Sequence, residues 1–269
     1  VARVRAGRRA RHWLGWAEFF ESSPMRLLIT FLCLAASLAH AAPPKAEAFA
    51  PLFELAGIRL LCEQSAPLVQ RGLGQQQQAQ LAQLFAADAL CLDLAKRMVA
   101  SFDQKGLIEA TRVLESPLAQ GFTAAERAVG EGGAEDLAAY RQQLAERPPR
   151  EERLQLVKRL DAAAHTTALA TLLRYEVGKT QALLTLKARG ESIDEQALSS
   201  QTQAQEQALR ASSATAVESF MLFAYRRMPS AQLADYAALY EEETVALLLE
   251  RSLEIFPELF AARRAQLRK

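Results

Sequence analysis

Cys62 and Cys91 are the residues whose spacing most clearly allows chemistry. An even, isolated pair of cysteines in an oxidising compartment closes as a disulfide. The turn signal Gly72-Leu73-Gly74 falls near the midpoint between them. A helical hairpin folded there sets both cysteines at similar heights and lets them face each other. Closure needs the two Cα atoms within about 7 Å. The chain has no C-x-x-C, so the pair reads as a structural bridge instead of a redox-active motif.

Catalytic constellations are harder to find. The histidines are His12, His40 and His165, and neither H-E-x-x-H nor a Cys/His metal spacing nor a Gly-rich phosphate loop is present. Asp161 precedes His165 by one helical turn, where the two can pair, but no G-x-S-x-G elbow accompanies them. Glu115-Ser116 and Glu218-Ser219 match the Glu-Ser start of lytic transglycosylases, whose downstream G-L-M-Q element is missing. Glu241, Glu242 and Glu243 read as a solvated helical face. No catalytic, metal-ligating or cofactor-binding residue is therefore assigned, and an enzyme acting on peptidoglycan stays a minor alternative.

The elements that position these residues read as helices throughout. Ala, Leu, Gln, Glu and Arg dominate, and no period-2 run bounded by turn residues occurs. Helices are expected over 46–62 (running on to 70), 75–101, 107–114 after an Asp103 cap, and 117–129. Ser116 and Pro117 fit the N-cap and N1 positions of the last of these. Further helices are expected over 134–146, unbroken over 151–189, from Ser192 to 228, and over 232–255. Pro257 is read as the start of a basic terminal helix, whose Arg263 and Arg264 suit a helix C-terminus without any partner. The result is an all-α, multi-helix bundle with long antiparallel helices. Pro148-Pro149 is a joint that allows two tandem halves, 46–147 and 150–269. Across it, Leu107–Glu115 and Leu233–Glu241 align as a faint repeat.

Met25-Arg26, the apolar run 27–39 and Ala39-His40-Ala41 have the layout of a secretory signal peptide. The run is shorter than the roughly 20 residues a membrane helix needs, so no integral span is expected after cleavage. The reading is an over-extended gene start at 1–24, a signal peptide at 25–41 and a helical domain at 42–269. Cys33, within the run, follows Thr30-Phe31-Leu32 and lacks the small residues of a lipoprotein cysteine. Taking away residues 1–41 removes six arginines and two glutamates, leaving 26 basic and 29 acidic residues, a charge of −3. A mildly acidic chain without a basic stripe is not a nucleic-acid binder.

One stretch carries a resemblance. Ala110–Ala128, ATRVLESPLAQGFTAAERA, resembles an uncharacterised family of signal-peptide-bearing proteobacterial proteins, a domain of unknown function built on a helix–ESPL(G)–helix motif. Leu114, Glu115, Ser116, Pro117 and Leu118 carry the match, with Ala119 for the usual glycine and Gln120 for the usual basic residue. Residues 150–163 resemble that family's long central helix. The resemblance implies a secreted helical protein with no established activity. On physical grounds, Glu115, Ser116 and Pro117 form a structural junction. The leading expectation is an exported, non-enzymatic scaffold or binding module of the periplasm or a secreted protein, partnered by an envelope protein. An alternative is a carrier of an apolar ligand, with Phe122, Phe220, Met221, Phe223 and Tyr225 as candidate pocket residues.

Overall fold

The computed structural model describes residues 43–130 and 133–268. The expected gene start, signal peptide and Cys33 lie outside the described residues. Within them the fold is all-α: a multi-helix bundle in which only helices and short 3-10 turns occur. After a 3-10 turn at Ala46–Phe49 come α1 (Ala50–Leu55), α2 (Ile58–Val69), α3 (Gln75–Leu84), α4 (Ala87–Met98) and α5 (Gln104–Leu114). Then follow α6 (Pro117–Gly130), α7 (Ala134–Glu146), α8 (Glu151–Ala164), α9 (Thr166–Ala188), α10 (Glu195–Ala224), α11 (Ser230–Glu241) and α12 (Glu243–Arg268).

The boundaries that side chains dictate fall where local chemistry puts them. Asp103 accepts the Gly106 N–H at 2.6 Å and starts α5, and Asp194 accepts the Ala197 N–H at 2.7 Å and starts α10. The latter start was expected at Ser192. Gly57, at φ 73°, breaks the first expected helix into α1 and α2; a left-handed residue ends the α1 ladder, and glycine adopts that conformation without a Cβ clash.

Two further expected continuities fail, and one expected break is absent. The 75–101 helix breaks at Phe85, which is buried against Phe260 with ring centroids 5.2 Å apart. The carbonyl that the break frees, on Leu84, accepts a hydrogen bond from Arg263 at 2.9 Å. The long 151–189 helix breaks at His165, the one non-glycine residue of positive φ (51°) among the described residues. Asp161 does not turn to His165 there. Its carboxylate accepts the backbone N–H and the hydroxyl of Thr167, both at 2.7 Å, and so caps α9. The third correction is Pro257, which lies inside α12 and does not start a helix. Proline removes one backbone donor and crowds the turn before it, but Phe256, Leu259 and Phe260 are all buried and hold the helix through it.

A single connected set of buried side chains runs from Phe49 to Leu267. At roughly 1.5–3 kcal/mol for each fully buried Leu or Phe, this set is the dominant stabilising term. α9 packs on α10, α12 and α2, and α8 packs chiefly on α11. Pro148-Pro149 links α7 to α8, and the helices on either side of it pack together through α6, α7, α10 and α11. The aligned segments become α5 and α11. Each lies against the helix that follows the other: α5 against α12, α11 against α6.

Candidate functional site

Cys62, on α2, and Cys91, on α4, are neighbours because α2 packs on α4; α3 and the break at Phe85 lie between them, so the meeting is not the single hairpin about Gly72–Gly74 that the spacing suggested. Both are buried, and both stand as free thiols where the sequence led us to expect a closed disulfide. The two thiols act on each other across the α2–α4 packing. This contact, with burial, raises the Cys62 pKa well above the usual thiol range. The same contact lowers Cys91, helped by the Arg59 guanidinium and opposed by burial. Arg59 is itself held between Glu63, at 2.8 Å, and Asp88, at 2.6 Å.

The Glu115-Ser116-Pro117 junction is built as its chemistry suggests. The Glu115 N–H donates to the Thr111 carbonyl at 2.8 Å and closes α5. Ser116 Oγ accepts the Ala119 N–H at 3.3 Å, Pro117 takes the first helical position of α6, and Gln120 Nε2 donates to the Glu115 carbonyl at 3.0 Å. Glu115 itself is exposed in the turn. The consequence of the turn is where it aims α6. Phe122 and Glu126, one helical turn apart, are directed at Tyr225, at the end of α10, and at Tyr236 and Tyr240 of α11.

There Phe122 stacks on Tyr236, with centroids 4.2 Å apart and planes at 17°, and lies 5.0 Å from the Tyr225 ring. Glu126 Oε1 accepts the Tyr225 hydroxyl at 2.6 Å and the Tyr236 hydroxyl at 3.1 Å. Tyr236 and Tyr240 share a further hydrogen bond of 3.1 Å. Burial raises the Glu126 pKa, and the two tyrosine donors only partly offset it. Burial also raises all three phenols, with the Glu126 charge adding to it. A carboxyl placed among hydroxyls is pushed toward its neutral form and can pass hydrogen-bond polarity along the Glu126–Tyr236–Tyr240 chain. Sequence reasoning missed this cluster. Its only trace was one-turn spacing, Phe122 with Glu126 and Tyr236 with Tyr240.

A second buried polar centre lies at α9, α10 and α12. Arg264, read from sequence as a partnerless helix end, is fully buried. It donates to Glu176 and to Glu195 at 2.6 Å each, to the Glu176 carbonyl at 3.2 Å and to Thr180 Oγ1 at 3.3 Å. Lys179 lies 3.2 Å from Glu195 and 3.4 Å from Glu176, and Arg268 lies 2.6 Å from Glu195. Arg263 likewise has a partner, Asp93, at 2.7 Å. Burial pushes the Glu195 carboxyl up, but hydrogen bonds from Arg264 and Arg268 outweigh it and hold the group at about 2.

The aromatic residues proposed for an apolar pocket are spent on packing. Phe122, Met221, Phe223 and Tyr225 are buried in the core, and Phe223 contacts the Tyr140 ring with centroids 5.4 Å apart. A cavity beside Glu176, between Leu169, Leu173, Phe256 and Phe260, measures about 10 Å³. That is roughly the space one water occupies. Glu218, the other candidate acid, lies partly buried late in α10, and neighbouring Ser219 accepts a hydrogen bond from Arg141 at 2.9 Å. Among the described residues no group of three or more His, Cys, Asp or Glu is placed to hold a metal ion, and no helix is long and apolar enough to cross a membrane. Comparisons with family models, with curated proteins and with solved structures found no match.

Proposed function

We propose that this chain is an exported, non-enzymatic helical protein of the cell envelope, a scaffold or binding module of the helix–ESPL–helix group. One observation carries the reading: the buried polar groups tie one helix to another. Arg264 joins α12 to α9 and α10, Glu126 joins α6 to α10 and α11, and Arg263 joins α12 to α3 and α4. Side chains committed in this way build a rigid body whose outer surface does the work. Large apolar side chains on that surface, Leu60 at 53 % exposure and Ile108 at 59 %, are the places where an envelope protein would be met.

The test is photo-crosslinking in intact cells, with the reactive group at Leu60 or Ile108 and the protein made with its own leader. A discrete adduct of envelope origin is expected from at least one position. Recovery of the unmodified monomer alone from both positions would count against the binding role. Export predicts a mature chain starting at Ala42. In the periplasm, Cys62 and Cys91 are expected to be joined, which lowers the intact mass by about 2 Da relative to the reduced chain, since closure releases two hydrogens.

A further inference from the structure

We infer that Cys91 is the thiol through which the disulfide is made, and that Cys62 completes it. The inference rests on the proposed Cys62–Cys91 bridge and adds an order and a partner chemistry to it. The two sulfurs are not equivalent. Cys62 is fully enclosed in the α2–α4 interface, at 0 % exposure, whereas Cys91 reaches the rim at 8 %. Only a rim thiol can meet the sulfur of another molecule, because thiol–disulfide exchange needs attacker, centre and leaving sulfur in contact.

A cation stands beside the pair. Arg59 of α2 is the nearby cation, held in place by Glu63 on its own helix and by Asp88 on α4. These three, with the partner thiol, are the ionisable groups acting on Cys91. Arg59 eases thiolate formation at either sulfur, and only Cys91 can present that nucleophile at the rim. Arg59 is therefore a positioning residue for the first step. Cys62 keeps its proton until Cys91 has reacted.

The sequence of bonds follows. The Cys91 thiolate attacks one sulfur of a small or protein disulfide, forming a mixed disulfide and releasing one thiolate. Cys62 then loses its proton to solvent and attacks the Cys91 sulfur. The Cys62–Cys91 bond forms and the second thiolate leaves. The two cysteines together give up two electrons and two protons, and the oxidant's disulfide is reduced to two thiols. The oxidant is thus a disulfide-bearing molecule, and its meeting point is the α4 rim around Asp88 and Cys91.

The test treats the reduced, folded protein with oxidised glutathione and follows intact mass after acid quenching. Wild type is expected to lose two hydrogens and keep no adduct. Cys62→Ala is expected to trap one glutathione on Cys91, while Cys91→Ala reacts at least about tenfold more slowly. Arg59→Gln placed on Cys62→Ala is expected to shift the pH profile of adduct formation upward, which a purely structural Arg59 would not do. Equal rates for the two cysteine variants, or faster modification of Cys62, would overturn the order. Wild type holding a glutathione on Cys91 without closing would sink the bridge and leave the entry role standing. If either alanine variant unfolds, peptide mapping of briefly treated wild type decides: the mixed disulfide must sit on Cys91.

Discussion

At the meeting of α9, α10 and α12, Arg264 is enclosed with Glu176, Glu195, Lys179 and Arg268. At the meeting of α6, α10 and α11, Glu126 is enclosed with the hydroxyls of Tyr225 and Tyr236. Both centres bury a group that water would otherwise solvate, and each offsets that cost differently. The first supplies opposite charge and keeps Glu195 ionised. The second supplies dipoles alone, so its carboxyl drifts toward the neutral form. Opposite charge makes a joint insensitive to mild acid but fragile to loss of a partner. Dipoles make a joint that tolerates substitution and responds to protons.

The largest effect expected from this contrast is at Arg264. Arg264→Met fills similar space but leaves buried Glu176 with only Lys179, at 3.4 Å, as a cation, and should cost about 3–5 kcal/mol in a urea unfolding series. A loss below about 1 kcal/mol would show that Lys179 alone can balance both carboxylates, and the contrast would collapse.

Tyr225→Phe should cost less, about 1–2 kcal/mol, because it removes one hydrogen bond and leaves Glu126 a second donor. The same variant should raise the Glu126 pKa further, visible as a shift of its carboxyl resonance with pH. A cost as large as that of Arg264→Met would mean the hydroxyl cluster is as brittle as the ionic one.

The smallest effect, and the sharpest, is a difference in sign. Glu195 has its folded pKa near 2, below the ordinary 4.5. Its contribution is present above about pH 4.5 and is lost as pH falls toward 2. Glu126 is raised above 4.5, so its contribution is present below that value and is lost as pH rises through the folded pKa. Glu126→Gln should therefore raise stability at pH 7 by roughly 1 kcal/mol, the usual size of a single polar exchange, with little change at pH 4. Glu195→Gln should do the reverse: destabilise at pH 7 and matter progressively less as pH falls from 4.5 toward 2. Parallel pH profiles for the two variants would break the comparison.

What the sequence revealed of this architecture depended on how local the deciding forces were. Asp103 and Ser116-Pro117 mark helix starts through bonds spanning three residues, and those starts fall where the residues say. The break at His165 is local, with Asp161 reaching on to Thr167, but the apolar spacing runs through it unmarked. The break at Phe85 was hidden because it is decided elsewhere, by Phe260 and Arg263. Arg264 misled for the same reason. A cation in the last turns of a helix usually meets water, and only the approach of α9 and α10 turns it into a buried hub. That the two cysteines are neighbours was legible in their spacing about Gly72–Gly74, but the route was not: α3 and the break at Phe85 stand between them and α2 meets α4 directly. Which sulfur lies at the rim depends on side-chain rotation, which spacing does not encode. Glu126 left almost no mark, since an isolated glutamate on an amphipathic helix looks like any solvated one until three tyrosines close on it.

The left-handed residue at His165 carries one more consequence. The chain changes neighbours there: α9 belongs with α10, α12 and α2, while α8 belongs chiefly with α11. An unbroken helix would propagate any opening along its whole length, but here the ladder is interrupted and Asp161 re-caps the second stretch. In amide hydrogen exchange the two sides should behave as separate opening units, with α9 amides protected at the level of the ionic centre and α8 amides following α11. Identical protection across the two stretches would show that one backbone dihedral does not divide this run of sequence into separately melting pieces.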